Sequence, residues 1–404
     1  MSLRTCTSDL PTRRASHGTV VLYFLAALGA WTVDLYLPAL PALRADLRVS
    51  PAAAQLTLTA TTVGFAAGQL LVGPWSDAVG RRFPLVATVG LHVMASFGVA
   101  LAPEIYSVLV CRFLQGAGAA GSAVVAVAAI RDMYTGRRFV RALARLALIT
   151  GAAPIVAPTL GSQLLRLVDW RGLFVCVAAY GLAALPLVAV FLPETLPPAH
   201  RHSGVRPADI TARYARLLKD RTFTGTALIG GLVVSGVFAY LTSSPFLIQQ
   251  VYGLDTQSYG LLFAAQAGCF LVGSQAGSRV ILRFSPQRLL CVSLPLLALS
   301  GYAVAAAAPL HTGLVGLVCP TMLFLFSAGL SVPCLPVLAL GRHGHQAGTA
   351  AALLGAVNFG FAGVMSPVVG AIGLSTAVPT GLVMGLTATA ATGLLPLLLR
   401  RKER

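Results

Sequence analysis

The sequence predicts an all-α membrane protein that crosses the bilayer twelve times, in two halves of six helices. Hydrophobic residues make up 56% of the chain and charged residues only 10%, whereas about a quarter of the residues of a soluble protein are charged. Near-neutral stretches recur along the chain, and a spanning helix needs about 20 such residues. A membrane barrel is excluded because the stretches lack its roughly ten-residue alternation of apolar and polar side chains.

The stretches between charged residues place the twelve spans in order. Spans 1 to 8 are the windows 15–43, 49–76, 83–103, 105–130, 146–165, 172–193, 222–254 and 256–278. Two further windows, 289–341 and 343–399, are about twice the length that one helix needs. Each contains a break rich in turn residues, PLHTG at 309–313 and GLSTAVPTG at 373–381. These two windows therefore supply spans 9 and 10 and spans 11 and 12.

The longest connection divides the spans six and six. It covers 194–221 and is rich in proline, histidine and arginine. We therefore predict an N-terminal half at 1–193, a cytoplasmic linker at 194–221 and a C-terminal half at 222–404. The first apolar run is longer than the core of a signal peptide and continues into a charged turn, so we expect it to remain as span 1.

The net charge of +17 would suit a nucleic-acid partner unless the basic residues have another explanation. With both termini in the cytoplasm, 24 of the 29 basic residues fall on the cytoplasmic side. This asymmetry follows the positive-inside rule. We therefore expect a multi-pass protein of the cytoplasmic (inner) membrane of a bacterium, surrounded by the lipid bilayer and without a nucleic-acid partner.

One glycine-rich motif imitates a cofactor site. GAGAAG at 116–121 matches the dinucleotide pattern G-x-G-x-x-G, but it lies inside span 4 and not between a strand and a helix. We expect these glycines, like Gly64 and Gly68, to form smooth helix faces for close packing. The sequence has neither an ATP-binding phosphate loop nor a metal-ligand pattern, so we predict no cofactor, no metal and no enzymatic activity. A gradient must then drive any transport.

Asp34 is the acidic residue that the membrane should tolerate least. It is the only charged residue between Arg14 and Arg44 and the only acidic residue in any span. A charge at the centre of an inserted helix costs about 2.5 to 3.5 kcal/mol, so such residues mark ion or proton pathways. Arg112 is the only basic residue within a span. We predict that Asp34 and Arg112 couple transport to protons. The alternative is a permanent ion pair between spans 1 and 4.

The loop between spans 2 and 3 carries a specific motif. GPWSDAVGRR at 73–82 resembles the G-x-x-x-D-x-x-G-R-R loop of the major facilitator superfamily, with matches at Gly73, Asp77, Gly80, Arg81 and Arg82. A glycine at the turn and an acid able to bind a basic group suit a tight, latched connection. A degraded copy, GSQAGSRVILR at 273–283, follows half a chain later, as two parallel repeats would require. The resemblance implies the major facilitator fold and a cytoplasmic latch.

A second acidic residue would add to this latch. Asp132, just after span 4, is expected to pair with Arg81 and Arg82 and to join the cytoplasmic ends of spans 2, 3 and 4. A solvated carboxylate without such a partner is the alternative interpretation.

Eight further stretches resemble the bicyclomycin and chloramphenicol resistance (Bcr/CflA) drug transporters of that superfamily. They are DLYLPALPAL at 34–43, RFLQGAGAAG at 112–121, IRDMY at 130–134, APIVAPTLGS at 153–162, LPETLP at 192–197, SSPFL at 243–247, SYGLLFA at 258–264 and AGTAAALLGAVNF at 347–359. Since they run through nearly the whole chain, the resemblance implies a drug/proton antiporter of twelve helices.

The resemblance also assigns roles to residues. The helix 1 acid, which is the proton and cation site of such transporters, corresponds to Asp34, and the helix 4 motif falls on Arg112, Gln115 and Gly116. The antiporter motif of helix 5 falls on Pro154, Pro158 and Gly161. Its usual form is richer in glycine, and this sequence has Ala153, Ala157 and Ser162 instead.

Aromatic and amide side chains near the midplane are expected to line a pocket for an apolar drug. They are Tyr36, Phe238, Tyr240, Phe246, Phe263, Asn358 and Phe361. Packing between helices is an equally good interpretation of each. A single acid in the site favours neutral or monocationic compounds over dications.

The sequence therefore predicts a monomer that exports amphipathic drugs, such as chloramphenicol- or bicyclomycin-type antibiotics, in exchange for protons. Two alternatives stay open. One is a major facilitator exporter of another small metabolite, such as a self-made antibiotic, a sugar or an amino acid. The other is a membrane receptor or scaffold that transports nothing. Transport assays with and without a proton gradient separate these functions.

Overall fold

A computed structural model describes residues 13–197, 207–341 and 347–399, and this part of the chain is helical apart from its connections. Both chain ends and residues 198–206 of the predicted linker lie outside the described residues. The twelve predicted spans are all present as helices or as pairs of shorter helices. The all-α fold class is confirmed.

Span 1 is interrupted, although its sequence window predicted one continuous helix over 15–43. It consists of Arg13–Ala26, Leu28–Asp34 and Leu40–Leu47, with a 3₁₀ turn at Leu37–Ala39. The prolines after Asp34 explain the interruption, because a proline lacks the N–H that an uninterrupted helix requires. The other spans of the first half are Pro51–Val79, Arg82–Leu101, Ile105–Met133, Gly136–Leu164 and Trp170–Phe191.

The second half also consists of six spans, and two of them, spans 10 and 12, are interrupted. Span 7 runs from Arg221 to Phe246 and ends in a π-helical turn at Leu247–Val251. Spans 8 to 12 are Thr256–Val280, Pro286–Ala307, Gly313–Ser331 with Cys334–Leu340, Ala347–Ile372, and Val378–Gly393 with Leu395–Leu399. The breaks predicted at 309–313 and 373–381 are confirmed, since helices end at Ala307 and Ile372.

Ten helical segments of the described chain are long and apolar enough to cross a membrane. The remaining two spans fall short for identifiable reasons. Span 8 contains several glutamines and serines, and the first helix of span 12, Val378–Gly393, has only 16 residues before its break. Both nevertheless pack as full members of the bundle, since span 8 lies against spans 5 and 10 and span 12 against spans 7 and 9.

A short helix, Pro207–Lys219, lies within the predicted linker. Its Leu217 side chain is buried, and the hydroxyl of Tyr214 donates to the Leu70 carbonyl of span 2 at 3.4 Å. The linker helix therefore packs mainly on spans 7 and 11 and reaches span 2 through Tyr214. The division of the chain into two halves stays a prediction.

Glycines allow the helices to approach closely, as expected from the sequence. A Cβ atom at Gly116 would lie 2.0 Å from the Thr61 carbonyl oxygen, and one at Gly64 would lie 2.0 Å from that of Phe113. Both contacts join span 2 to span 4. The glycine-rich motif of span 4 is thus a packing surface between two helices, and no strand precedes it in the described chain.

Candidate functional site

Asp34 is the last residue of the helix Leu28–Asp34, at the interruption of span 1. Its side chain is only 5% exposed. Its carboxyl group and the Tyr259 hydroxyl of span 8 lie close enough for an electrostatic interaction. Ion pairs within 4.0 Å among the described residues join Arg81 to Asp77, Arg81 to Asp132 and Arg171 to Asp46. The permanent ion pair between Asp34 and Arg112 is therefore not formed.

Arg112 is fully buried and bonds to two neighbouring spans and to Gln115 on its own helix. Its Nη1 donates to the Thr32 carbonyl of span 1 at 2.9 Å and to Oε1 of Gln115 at 2.6 Å, and its Nε donates to the Thr57 carbonyl of span 2 at 3.4 Å. Each acceptor is neutral, so none of them offsets the positive charge of the guanidinium. Arg112 consequently holds span 1 in position two residues before Asp34.

Aromatic rings complete the surroundings of Arg112. The guanidinium carbon lies 4.1 Å from the centre of the Tyr36 ring and 5.3 Å from that of Phe174. Such cation–π contacts contribute about 2 kcal/mol when desolvated, less than the cost of burying an isolated charge. The Nη2 atom is buried without a protein partner. The site therefore retains a positive charge that its own structure does not neutralise.

Gln115 extends the Arg112 network into span 3. Its Nε2 donates to Oγ of Ser96 at 2.7 Å, and Ser96 in turn donates to the His92 carbonyl at 2.7 Å. The Nδ1 atom of His92 donates to the Gln115 carbonyl at 3.1 Å, which leaves Nε2 buried without a protein partner. The predicted helix 4 motif is thus the centre of a buried polar network across spans 1, 2, 3 and 4.

The predicted helix 5 motif packs directly behind Asp34. A Cβ atom at Gly161 would lie 1.9 Å from the carbonyl oxygen of Leu35, the residue that follows Asp34. On another side of span 5, the carbonyl oxygen of Pro158 would lie 3.4 Å from a Cβ atom at Gly260 in span 8. Pro154 and Pro158 are both inside the helix. The motif therefore touches span 1 next to Asp34 and span 8 of the second half.

The 73–82 loop closes around Arg81, which is 2% exposed. Its guanidinium bonds to Asp77 at 2.6 Å, to Asp132 at 2.9 Å and to the Ser76 hydroxyl at 2.8 Å. Burial alone lowers the pKa of the Arg81 guanidinium, but the hydrogen bond and charge of Asp132 and those of Asp77 outweigh it and raise the pKa. Arg81 thus stays charged and joins spans 2 and 4 at the ends that are predicted to face the cytoplasm.

Arg82 makes a different contact from the one expected. Its guanidinium donates to the Ala189 carbonyl at the end of span 6, whereas Asp132 bonds to Arg81 and to the hydroxyl of Thr195. Gly73 has no neighbour closer than 3.7 Å to a Cβ atom placed on it. Close packing in this structure therefore does not require a glycine at this position of the motif.

Sequence reasoning missed Glu194, which completes the loop. Its carboxylate accepts from the backbone N–H groups of Arg81 at 2.8 Å and Arg82 at 3.3 Å. It also fills the space where a Cβ atom at Gly80 would lie, and Gly80 has a φ of +107°, which favours glycine. The only signal in the sequence was the LPETLP stretch at 192–197.

Most of the predicted pocket residues are buried in this conformation. Tyr36, Phe238, Tyr240, Phe246 and Phe263 are each at most 8% exposed. Tyr240 donates a hydrogen bond to Oε1 of Gln266 at 2.6 Å. These five side chains are therefore packed between helices and are not open to solvent in this structure.

The two remaining predicted pocket residues are half-buried on span 11. Asn358 has an Oδ1 atom without a protein partner, and Phe361 packs on Gly231 of span 7. Their neighbour Phe359, which was not predicted, lies 4.7 Å from the ring of Phe65 in span 2 and 6.3 Å from that of Phe238. This aromatic cluster joins the two halves and was visible in the sequence only as the end of the 347–359 stretch.

Comparisons with known proteins place this arrangement in a family. A profile described as Major Facilitator Superfamily matches residues 19–367. The "Uncharacterized MFS-type transporter YdgK" of Bacillus subtilis (strain 168) is 36% identical over 378 residues, which are 91% of this chain and 92% of the relative. The "Bicyclomycin resistance protein homolog" of Haemophilus influenzae (strain ATCC 51907 / DSM 11121 / KW20 / Rd) is 29% identical, with 91% and 92% covered.

Another relative and two solved structures agree with this placement. The "Multidrug resistance protein MdtL" of Escherichia coli (strain K12 / DH10B) is 31% identical over 325 residues, 80% of each chain. The xylose transporter XylE from E. coli has a TM-score of 0.74 at 13% identity, covering 96% of this chain and 98% of its own. A bacterial homolog of the human lysosomal transporter Spinster has a TM-score of 0.75 at 18% identity, covering 97% and 98%. These two structures share the fold.

Proposed function

Because the chain belongs to the major facilitator superfamily of transporters, we propose that it exports amphipathic drugs across the cytoplasmic membrane in exchange for protons. Relatives named for bicyclomycin resistance and multidrug resistance support a drug as the substrate. The proposed orientation has both termini in the cytoplasm, in agreement with the positive-inside distribution of arginines.

One observation carries the proposal: Asp34 is buried at the interruption of span 1 and has no cation within ion-pair distance in the described chain. A carboxylate in this environment either takes up a proton or binds a cationic or polar ligand, because an isolated buried charge is costly. The two occupants exclude each other. Such competition is the basis of exchange between proton and drug.

The neighbours of Asp34 would convert this competition into movement. Gly161 fixes span 5 against Leu35, and Arg112 fixes the preceding turn at Thr32. A change at the carboxylate of Asp34 is therefore transmitted to the first half as a unit. In the second half, the neighbour of this carboxylate is Tyr259 of span 8. In the proposed cycle, Asp34 takes up a proton from outside, releases the drug outward, and loses the proton to the cytoplasm after the halves rock.

The surroundings favour certain drugs over others. Phe65, Phe238 and Phe359 present apolar surface between the halves, and Asp34 offers one negative charge against the positive charge of Arg112. Neutral and singly charged amphipathic compounds fit this balance, as chloramphenicol-like molecules do. Export of another small metabolite by the same exchange remains the alternative that a transport assay must address.

The test measures drug accumulation in cells that express the protein or its Asp34→Asn variant. We expect the parent to lower accumulation of a chloramphenicol-like compound, and both the substitution and a protonophore to abolish this effect. Asp46→Asn is the matched control, because Asp46 is an acid near the outer end of span 1 that pairs with Arg171. This control should export as the parent does.

Membrane expression of the three proteins is compared by immunoblot, so that loss of export is not loss of protein. Export by Asp34→Asn at the rate of the parent would contradict the role of Asp34 in coupling. Export of the drug by the parent that survives the protonophore would contradict proton exchange altogether.

A further inference from the structure

The cytoplasmic end of span 5 exposes four arginine side chains along one side of the helix Gly136–Leu164. This arginine face consists of Arg137, Arg138, Arg141 and Arg145. Apart from the adjacent first pair, its members are three or four residues apart, which places them on one side of a helix. Ala142 and Leu146 on the neighbouring side are buried against the first half. The arginines therefore point away from the packed surface of span 5.

The arginine face has no carboxylate within ion-pair distance in the described chain. All three ion pairs found there use Arg81 or Arg171. Arg145 lies against the Tyr23 hydroxyl, which is a neutral partner. Four positive charges within about 12 Å of helix length, at 1.5 Å per residue, are thus available to an anion from outside the protein.

The same side of span 5 continues as an apolar surface. Leu148, Val156 and Leu160 are 59%, 50% and 39% exposed. Leu148 follows Arg145 by three residues, or about 4.5 Å along the helix axis. An exposed surface that changes from arginine to leucine over this distance matches the boundary between lipid headgroups and hydrocarbon.

Span 11, which occupies the corresponding place in the second half, has no such charge. No charged residue occurs anywhere in 347–399. A helix that begins on the cytoplasmic side of this fold therefore does not require arginines in its first turns. The positive-inside rule explains why basic residues are concentrated in cytoplasmic loops. It does not explain why four arginines lie on one exposed side of one helix.

We propose that the arginine face binds the phosphate groups of anionic phospholipids in the cytoplasmic leaflet. Guanidinium groups bind phosphate oxygens in a bidentate manner, and each basic residue near an anionic leaflet adds to the attraction. The acyl chains of a lipid held there lie along Leu148 and Val156. The bound lipid anchors the cytoplasmic end of span 5, the helix whose Gly161 packs behind Asp34.

The experiment is native mass spectrometry of the full-length protein in a non-ionic detergent. The protein is mixed with equal amounts of phosphatidylglycerol and phosphatidylcholine that have the same acyl chains. We expect the parent to retain phosphatidylglycerol about tenfold more than phosphatidylcholine. A variant with Arg137→Gln, Arg138→Gln, Arg141→Gln and Arg145→Gln should reduce this ratio to less than about twofold, because its neutral side chains cannot pair with phosphate.

Two matched variants separate specific binding from general charge. Replacing the same four arginines by lysine keeps the charge and should keep most of the preference. The linker helix supplies the second control, Arg213→Gln, Arg216→Gln and Lys219→Gln, which removes three charges elsewhere on the cytoplasmic side and should leave the ratio unchanged. Size-exclusion profiles establish that each protein is folded. If the quadruple glutamine variant does not fold, the double variant Arg141→Gln/Arg145→Gln must lower the ratio of phosphatidylglycerol to phosphatidylcholine at least threefold.

Three outcomes would overturn the proposal. One is an unchanged lipid ratio in the folded glutamine variant. Another is an equal loss in the linker control, which would mean that the overall charge attracts the lipid. A third is displacement of phosphatidylglycerol by inorganic phosphate at constant ionic strength, which would identify a site for a free anion.

Discussion

The two long contacts between the halves are built differently. Span 2 packs against span 11 at three positions along the two helices. At each position a polar side chain of span 2 lies against a glycine of span 11. A Cβ atom placed on the glycine would lie 2.2 to 2.9 Å from the nearest atom of the opposing side chain. From the outer to the cytoplasmic end, the pairs are Gln55 with Gly370, Thr62 with Gly363 and Gln69 with Gly355. We call this contact the 2–11 seam.

Where span 5 meets span 8, the closest approaches lie in the outer and central parts. The Thr159 hydroxyl donates to the Gly260 carbonyl at 3.0 Å, and a Cβ atom at Gly151 would lie 3.3 Å from Leu271. Nearer the cytoplasm, Thr150 is exposed. In the apolar window of span 5, 19% of the residues are buried inside the molecule. In the corresponding window of span 2 the share is 50%. We call this contact the 5–8 seam.

The difference indicates which contact resists movement. Interlocked side chains at regular intervals must separate together, whereas a contact concentrated at one end can open at the other. We therefore expect the 2–11 seam to set the register between the halves and the 5–8 seam to part more readily at its cytoplasmic end. The amide oxygens of Gln55 and Gln69 lack protein partners, which lowers the cost of separating the interlocked pairs.

The largest effect should follow from filling a gap in the 2–11 seam. A Cβ atom at Gly370 would lie 2.9 Å from the backbone of Ala52, which cannot move as a side chain can. We expect Gly370→Val to destabilise the protein by about 1 to 3 kcal/mol and to reduce export. Thermal unfolding in detergent and drug accumulation measure the two effects.

The matched control is Gly360→Val on the same helix. A Cβ atom at Gly360 has no neighbour within 4 Å, so this variant should unfold at the temperature of the parent. Equal destabilisation by the two substitutions would mean that valine harms span 11 wherever it is placed, and that the 2–11 seam has no special role.

A smaller effect is expected in the 5–8 seam. A Cβ atom at Gly260 would lie 2.2 Å from Oγ of Ser162, which can rotate away, and 2.9 Å from its Cβ atom, which cannot. The nearest backbone atom is 3.4 Å away, whereas two backbone atoms of Ala52 lie within 3.0 Å at Gly370. We therefore expect Gly260→Val to lower the unfolding temperature by less than Gly370→Val does. Gly268→Val on the same span, where a Cβ atom has no neighbour within 4 Å, is the control. A greater loss at Gly260 than at Gly370 would reverse our ranking of the seams.

The smallest effect concerns one hydrogen bond beside the 2–11 seam, from Gln55 of span 2 to span 7, and one hydrogen bond within the 5–8 seam. Gln55 donates to the Thr242 carbonyl at 3.1 Å and is fully buried, whereas the half-buried Gln257 donates to the Ser162 carbonyl at 3.3 Å. A buried hydrogen bond contributes about 0.5 to 1.5 kcal/mol. We expect Gln55→Ala to increase outward opening about fivefold and Gln257→Ala to change it less than twofold.

Opening is measured by the rate at which an impermeant maleimide labels a cysteine introduced at Thr242. The native cysteines are first replaced by alanine. An equal labelling rate in the two glutamine variants would show that the outer closure does not distinguish the seams.

Local features of the fold could be predicted from the sequence because each depends on neighbouring residues. The turn at Gly80, with its φ of +107°, and the breaks at 309–313 and 373–381 are all signalled by glycine, proline or short polar residues. The interruption of span 1 had a similar signal in its prolines after Asp34. It was overlooked because the apolar window continued across them.

The partners of the predicted residues could not be derived in the same way. Gln55 and Gly370 are separated by most of the chain, and their pairing depends on how spans 2 and 11 cross. Arg112 was recognised from its rarity in the membrane, yet its acceptors on spans 1 and 2 are backbone carbonyls, for which no side chain provides a signal. The sequence therefore identifies which residues are unusual, and only the packing of helices determines what they contact.

Arg112 also gives the proposed transport site an electrical property. With Asp34 ionised the two groups sum to zero charge, and with Asp34 protonated they sum to one positive charge. Moving one elementary charge through 100 mV is worth about 2.3 kcal/mol. Exchange of a neutral drug for one proton should therefore depend on membrane voltage, whereas exchange of a monovalent cationic drug should not. Export from vesicles clamped with potassium and valinomycin measures this, and equal voltage dependence for both drugs would exclude the exchange of one proton for each drug molecule.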